Sequence, residues 1–233
     1  MRIAIISDIH SNLPALEAVF KKIADLSVDV TYCLGDIIGY GPFPNGCVDL
    51  VRTKCLASVK GNHESGLLGE TPTDQFNQNG QAAIRWTKNK ITPQNLEYLR
   101  SLPTTVTDHD CTFVHATPDE PAEWTYFMSL GQADQNFAAF STRLCFIGHT
   151  HIPVVIGEDS SINVYRAGRR FIINVGSVGQ PRDENPESAF GLFDTDQQSY
   201  ALVRVAYDIS QTAQAIQDAG LPVFLGRRLF QGI

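Results

Sequence analysis

The opening stretch MRIAIISDIHSN, Met1–Asn12, decides the fold. Residues 2–7 contain a short isoleucine-rich apolar run, which reads as a buried strand. The run breaks at Ser7-Asp8, and Asn12 can cap a helix in which Leu16, Val19, Phe20 and Ile23 recur at helical spacing. Val28–Leu34 repeats the strand pattern and ends in Gly35-Asp36. A loop with Pro42 and Pro44 leads to a short helix near 45–53, and Leu56–Val59 forms a third strand ending in Gly61-Asn62. A β-α-β-α-β start of this kind argues for a mostly parallel sheet.

Working outward, a polar stretch at 71–81 leads into a helix near 77–89, and Thr92-Pro93 opens another. Thr104–Thr107 and Thr112–Val114 read as a hairpin around an Asp108–Asp110 turn. Residues 117–135, with Trp124, Tyr126 and Phe127, are expected to form a lid or a flanking helix whose aromatics either stack on a base or pack. Leu144–Ile147 is a buried strand. From 152 to 206 strand follows strand, with turns at Asp159–Ser161, Ala167–Arg169 and Asp194–Gln198. Asp208 and Gly220 bracket a last helix over 209–219. With no repeat and no linker, residues 1–233 read as a single domain.

The chain is 233 residues long, 43% hydrophobic and 18% charged, which excludes a disordered chain. Its net charge of −7 disfavours long nucleic acids as partners. Five cysteines, at 33, 47, 55, 111 and 145, form no CxxC pair, so they read as reduced thiols in a cytoplasmic protein. No apolar run approaches the roughly 20 residues of a membrane span. A homo-oligomer is left open.

Five segments place metal-type ligands after strand-like runs: Asp8-Ile9-His10, Gly35-Asp36, Gly61-Asn62-His63-Glu64, Val114-His115 and Gly148-His149-Thr150-His151. In open α/β sheets, ligands collect at the carboxyl ends of strands, so these segments are expected to converge. Asp8/His10 and His149/His151 are i, i+2 pairs that would face one side of an extended backbone. A lone Asp-x-His or Gly-Asp is a chance event; all five segments in order are not. Five of the six histidines lie in them, leaving His109 as an exposed turn residue. Nitrogen and oxygen donors without thiolate suit Mn²⁺, Fe or Zn²⁺ and argue against a structural zinc. The donor count exceeds one ion and suggests a two-metal hydrolytic centre.

The order DxH, GD, GNH[DE], H, GHxH resembles the calcineurin-like metallophosphoesterase superfamily, over Met1 to about Arg182. The resemblance implies a four-layer αββα sandwich, two facing mixed β-sheets flanked by helices. It implies two divalent or trivalent metal ions, the first held by Asp8, His10, Asp36 and His151. Asp36, Asn62, His115 and His149 would hold the second, with Asp36 bridging. It implies a metal-bridging hydroxide as nucleophile, with His63 contacting substrate and protonating the leaving group. Catalytic roles thus fall to His63 and Asp36.

The Ser/Thr protein phosphatases carry GDxVDRG, whereas this chain reads Gly35-Asp36-Ile37-Ile38-Gly39-Tyr40-Gly41 with no arginine. Purple acid phosphatases place a tyrosine where Gly39 stands. The closer resemblance is to small bacterial and archaeal phosphodiesterase-like members, in DIHSN, GDIIGYGPFPN, GNHE, GHTHIP and NVGSVGQPRD. The implied substrate is a small nucleotide-like phosphoester or a dinucleoside polyphosphate. A phosphomonoesterase, a phosphoprotein phosphatase and a non-catalytic metal-binding scaffold are the alternatives. The turn Gly176–Gly179 could offer N–H groups to an anion, with Gly179 at the substrate. Arg182 could clasp a phosphate, the alternative being a surface ion pair.

Overall fold

Strand β1 (Arg2–Ile6) runs parallel to β2 (Val30–Cys33), and β2 runs parallel to β3 (Ala57–Ser58), in a computed structural model that describes residues 1–233. The connections are α1 (Leu13–Asp25) and α2 (Pro44–Lys54). The Asn12 side chain caps α1 by accepting from Ala15 N at 3.3 Å, and its buried stripe is Leu16, Val19 and Ile23. Next come α3 (Asn62–Leu68), α4 (Gln78–Lys88), α5 (Pro93–Ser101), and the hairpin β4 (Thr105–Asp108) with β5 (Cys111–Val114). They are followed by α6 (Ala133–Ala138), β6 (Leu144–Ile147), β7 (Val154–Gly157), β8 (Phe171–Asn174), β9 (Ser188–Asp194), β10 (Ser199–Val205), α7 (Ile209–Asp218) and α8 (Val223–Arg227).

The strands make two five-stranded mixed sheets, ordered β10-β9-β1-β2-β3 and β4-β5-β6-β8-β7. Each has a parallel set, β1-β2-β3 and β5-β6-β8, bordered by antiparallel strands. The two-residue period of the strands sorts their side chains into layers. Ile3, Ile5, Tyr32, Phe113, Phe146, Phe171 and Phe193 fill the space between the sheets. There Tyr32 and Phe113 stack with centroids 4.2 Å apart. Ala4 and Ile6 face the other way, onto α1 and α2, while Cys145, Ile147 and Ile172 face α6. The outcome is the expected four-layer sandwich. All five cysteines are free. No helix is long and apolar enough to cross a membrane.

Three segments differ from the sequence reading. The third strand shrinks to Ala57–Ser58, because Lys60 turns away and donates its N–H to Pro103 O at 2.7 Å. Residues 117–129 form a loop and not a helix; a 3-10 turn at Leu130–Gln132 precedes α6. Side chains hold this loop: Gln132 Oε1 accepts from Met128 N and Ser129 N, and its Nε2 donates to Tyr126 O. Between β7 and β8 the extra strand is only a bridge, Ile156 to Ile162, because β7 is a sheet edge with no neighbour beyond it.

Candidate metal centre

The parallel strands of both sheets end at one place. Val178 N donates to Ser7 O and Gly179 N to Asp8 O, each at 2.9 Å, which ties the loop after β8 to the loop after β1. Gly148 sits against the same loop, and a Cβ there would overlap Ser7 and Asp8. Five expected ligands, Asp8, His10, Asp36, His149 and His151, have φ between 49° and 66°. The i, i+2 pairs therefore converge through left-handed backbone and not through an extended strand, because the chain must reverse as it leaves each sheet. Strain of this kind clusters at functional sites. Asn62 and His63 lie in the first turn of α3 and not in a loop.

The structure gathers every expected ligand. Asp8, His10 and His151 form one group with ligand atoms within 4.8 Å of one another; Asp36, His115 and His149 form another. Asn62 Oδ1 lies 3.1 Å from His115 Nε2. His63 also falls into a group with His10 and Asp36.

Asp8, Asp36, His10, His115 and His151 each have one side-chain atom anchored by the protein and another turned toward the other ligands. Asp8 Oδ2 accepts from Ser7 Oγ at 2.7 Å and His149 N at 3.0 Å, whereas its buried Oδ1 has no hydrogen-bond partner. Asp36 Oδ1 accepts from His63 N at 2.9 Å, while Oδ2 lies 3.7 Å from His10 Nε2 and 3.4 Å from His115 Nε2. Backbone carbonyls of Ile38, Leu34 and Gln180 face Nδ1 of His10, His115 and His151 at 3.2, 2.8 and 2.5 Å. Those carbonyls favour the proton on Nδ1, which in the neutral imidazole leaves Nε2 as a lone pair for a metal. His10 Nε2 and His151 Nε2 then oppose each other at 3.1 Å, an arrangement that a cation between them satisfies. The residues present fit a pair of oxygen- and nitrogen-bound metal ions.

The electrostatics agree. Burial works against charge on Asp8 and Asp36, yet His151 beside Asp8 and His115 beside Asp36 hold both carboxyls below their usual range. Burial pulls His149 down to about 3 and His63 to about 4, and lowers His10 and His151. Burial opposes a charge on His115 too, but Asp36 outweighs it and raises that imidazole to about 9. Without a metal, the proton on His115 is the positive charge beside Asp36.

Glu64 is the working residue that the sequence reading quoted without giving it a role. Its buried carboxylate accepts from Asp36 N at 2.8 Å, Ile38 N at 3.1 Å and Gly61 N at 2.8 Å. It thereby staples the Asp36 loop to the Asn62-His63 turn. Its capping-box place, three residues after Gly61, was the available signal.

The substrate side is a cleft of about 160 Å³ lined by Asp36, Asn62, His63, His149, His151 and Arg182, with Tyr40, Phe76, Trp124 and Tyr126 among its walls. His63 is ringed by Tyr40, His10 and Phe76, with centroids at 4.6, 4.8 and 5.2 Å. A Cβ at Gly39 would run into the His63 ring, so a tyrosine there is incompatible with this His63. Tyr126 lays its ring on His149 with centroids 4.0 Å apart, Trp124 Nε1 donates to Thr71 Oγ1 at 2.9 Å, and Phe127 packs in the core. Phe127 is thus packed away from the cleft, whereas Trp124 and Tyr126 line it.

Gly179 is a correction. Its N–H is spent on Asp8 O, and a Cβ there would overlap the Ile9 carbonyl. Gly176 N donates to Asn174 Oδ1 at 2.9 Å, and Gln180 N to Ser177 Oγ at 2.8 Å. The turn 176–180 spends these N–H groups on the protein instead of on an anion. Arg182 lies in the cleft without an ion-pair partner. His109 is an exposed turn residue, as expected.

The family model for the calcineurin-like phosphoesterase superfamily domain matches residues 1–198. The uncharacterised protein MJ0912 of Methanocaldococcus jannaschii is 41% identical over 240 residues, covering 99% of this chain and 98% of its own. The phosphodiesterase YfcE of Escherichia coli K12 is 25% identical over 227 residues, covering 91% and 98%. The crystal structure of a metallophosphoesterase from Sphaerobacter thermophilus superposes with a TM-score of 0.89 at 41% identity, covering 100% of this chain and 99% of that one.

Proposed function

The chain belongs to the calcineurin-like phosphoesterase superfamily and is a phosphoester hydrolase, and from that premise we propose that it is a dimetal phosphodiesterase. Its substrate in this reading is a small nucleotide-like phosphoester or a dinucleoside polyphosphate. One observation carries the proposal: Asp36 Oδ2 lies 3.7 Å from His10 Nε2 and 3.4 Å from His115 Nε2, where a carboxylate would bridge two ions. Asp8, His10, Asp36 and His151 would hold the first ion, and Asp36, Asn62, His115 and His149 the second. The donor set suits Mn²⁺, Fe or Zn²⁺. When bound, such ions supply an activated water and offset charge on the phosphoryl oxygens.

The chain's own residues do the remainder. Carbonyl-anchored imidazoles and the Glu64 staple keep the ligands in place, so little reorganisation accompanies reaction. His63, fixed by its aromatic ring of neighbours and by the His63 N bond to Asp36, faces the cleft to hydrogen-bond substrate and protonate the leaving oxygen. Arg182 contributes a guanidinium to a phosphate oxygen. The diester preference is supported by the name of the YfcE relative and by Gly39, which excludes the acid-phosphatase tyrosine. Five unpaired thiols fit a reducing cytoplasmic setting.

The test is a substrate panel with Mn²⁺-loaded protein: bis(p-nitrophenyl) phosphate, p-nitrophenyl phosphate, cyclic nucleotides and dinucleoside polyphosphates. The expected result is turnover of diesters or polyphosphates at least tenfold above the monoester. Faster monoester turnover, or metal-loaded protein inert on the whole panel, overturns the reading.

A further inference from the structure

Asn12 does more than cap α1. Its side chain is buried and uses its whole hydrogen-bonding capacity, two acceptor and two donor positions. Oδ1 accepts from Ala15 N at 3.3 Å and from Thr212 Oγ1 at 2.9 Å. Nδ2 donates to Gly179 O at 2.9 Å and to the Tyr207 hydroxyl at 3.1 Å. The amide cannot be turned over, because Ala15 N only donates and the Gly179 carbonyl only accepts. Four parts of the chain therefore meet at one side chain: the loop after β1, the turn 176–180, the segment after β10 and helix α7. Tyr207 and Thr212 lie beyond residue 198, where the family-matched stretch ends.

This junction backs one half of the metal centre. Asn12 holds the carbonyl of Gly179, while Gly179 N and Ser177 Oγ both donate to Asp8 O, at 2.9 and 2.8 Å. The next residue, Gln180, turns its own carbonyl to Nδ1 of His151. Asn12 N bonds Ile9 O at 3.1 Å, inside the Asp8-Ile9-His10 turn. The space left between Asn12, Thr212, Gly179, Gln180 and His10 is about 10 Å³, too tight for more than one water. All of these connections run toward Asp8, His10 and His151. Asn62 sits on α3, and His115 is anchored by the Leu34 carbonyl. A helix that carries no ligand thus braces the β1 loop against the β8 loop, beside three ligands in left-handed backbone.

We infer that Asn12 and Thr212 are a positioning pair for the first metal site: they keep Asp8, His10 and His151 within reach of one ion and leave the Asn62 and His115 side of the centre alone. Groups that anchor a ligand from behind set its affinity, and losing one typically costs about 10–100-fold in metal binding. The inference rests on the dimetal reading of the same site and adds which residues outside the ligand set decide the affinity of one ion of the pair.

Calorimetric titration of metal-free protein with Mn²⁺ tests it, with the affinity of each ion as the readout. Asn12→Ser keeps a helix cap but is too short to reach Gly179 and Thr212. Thr212→Val keeps the side-chain shape and loses the donated bond. The wild type is expected to take up two ions. In Asn12→Ser one of them should bind about tenfold more weakly and the other unchanged. In Thr212→Val the same ion should weaken by about threefold, and Thr212→Ser, which restores the hydroxyl, should recover it. The loss should persist beside Asn62→Ala and vanish beside His151→Ala, whose remaining ion is the second one. Wild-type affinity for both ions in Asn12→Ser, whatever its Tm, overturns the inference and leaves Asn12 a helix cap. So does an equal loss at both ions, or a loss that survives beside His151→Ala. Wild-type protein that takes up a single ion ends the dimetal reading; the positioning pair stands if that ion weakens in Asn12→Ser and falls if it does not. Wild-type protein that takes up none overturns both.

Discussion

His63 and Glu64 are neighbours with opposite jobs. His63 Nδ1 is buried without a partner, and its ring faces the cleft. Replacing it with alanine should lower turnover by about 10²–10⁴ while leaving metal content unchanged. Steady-state kinetics beside elemental analysis would check this, and unchanged turnover would remove His63 from the chemistry. Glu64 touches no substrate. Glu64→Ala would leave three buried N–H groups unpaired and should cost about 3 kcal/mol in urea unfolding, with a lower metal occupancy. Glu64→Gln, keeping one acceptor oxygen, should fall between. A wild-type metal content in Glu64→Ala would show that the Asp36 loop holds its place without the staple.

Loop 117–129 forms one wall of the cleft, the start of α3 and the segment 71–77 after it form another, and Trp124 Nε1 on Thr71 Oγ1 latches the two. Trp124→Phe should cost about 1 kcal/mol and speed amide exchange across 117–129 without altering exchange in β1. Protection unchanged in that loop would mean the glutamine-held turn at 130–132 alone orders it. The loop is also where the sequence was least legible. Strands β1, β2, β5 and β6 announce themselves through apolar runs, and α1 and α7 through capping residues and periodic leucines, valines or isoleucines. Residues 117–129 are ordered by Gln132, Trp124 and Thr117 side chains bonding to distant or backbone atoms, and such bonds leave no periodic trace. The ligand set was legible because each motif sits at a strand end. Arg182, expected either to clasp phosphate or to form a surface ion pair, has no ion-pair partner. Gly179 was misread because a glycine demanded by close packing on Ile9 looks, in sequence, like one that cradles an anion.

Across the whole molecule, the metal centre joins the two sheets, so metal binding and global stability are linked. At 100-fold excess over Kd, a bound ion adds about 2.7 kcal/mol, worth roughly 5–10 °C in Tm for a chain of this size. Four imidazoles must be neutral to ligate, so protons compete with the ions. Burial already keeps His10, His149 and His151 neutral, so the competing proton is the one on His115, and the metal-dependent gain in Tm should be largest near pH 9 and shrink steadily as the pH falls toward 6. Scanning calorimetry with Mn²⁺ and with chelator, at each pH, measures the difference. A gain that is equal at both ends would place the ions elsewhere. Left-handed backbone at Asp8, His10, Asp36, His149 and His151 has a consequence for descent. Each such residue costs about 1–2 kcal/mol that glycine would not, and native domains hold only about 5–15 kcal/mol in total. For a lineage no longer under selection for catalysis, glycine would relieve that strain at His10 and His151, whereas at Asp8 and Asp36 it would leave the donors Ser7 Oγ, His149 N and His63 N unpaired.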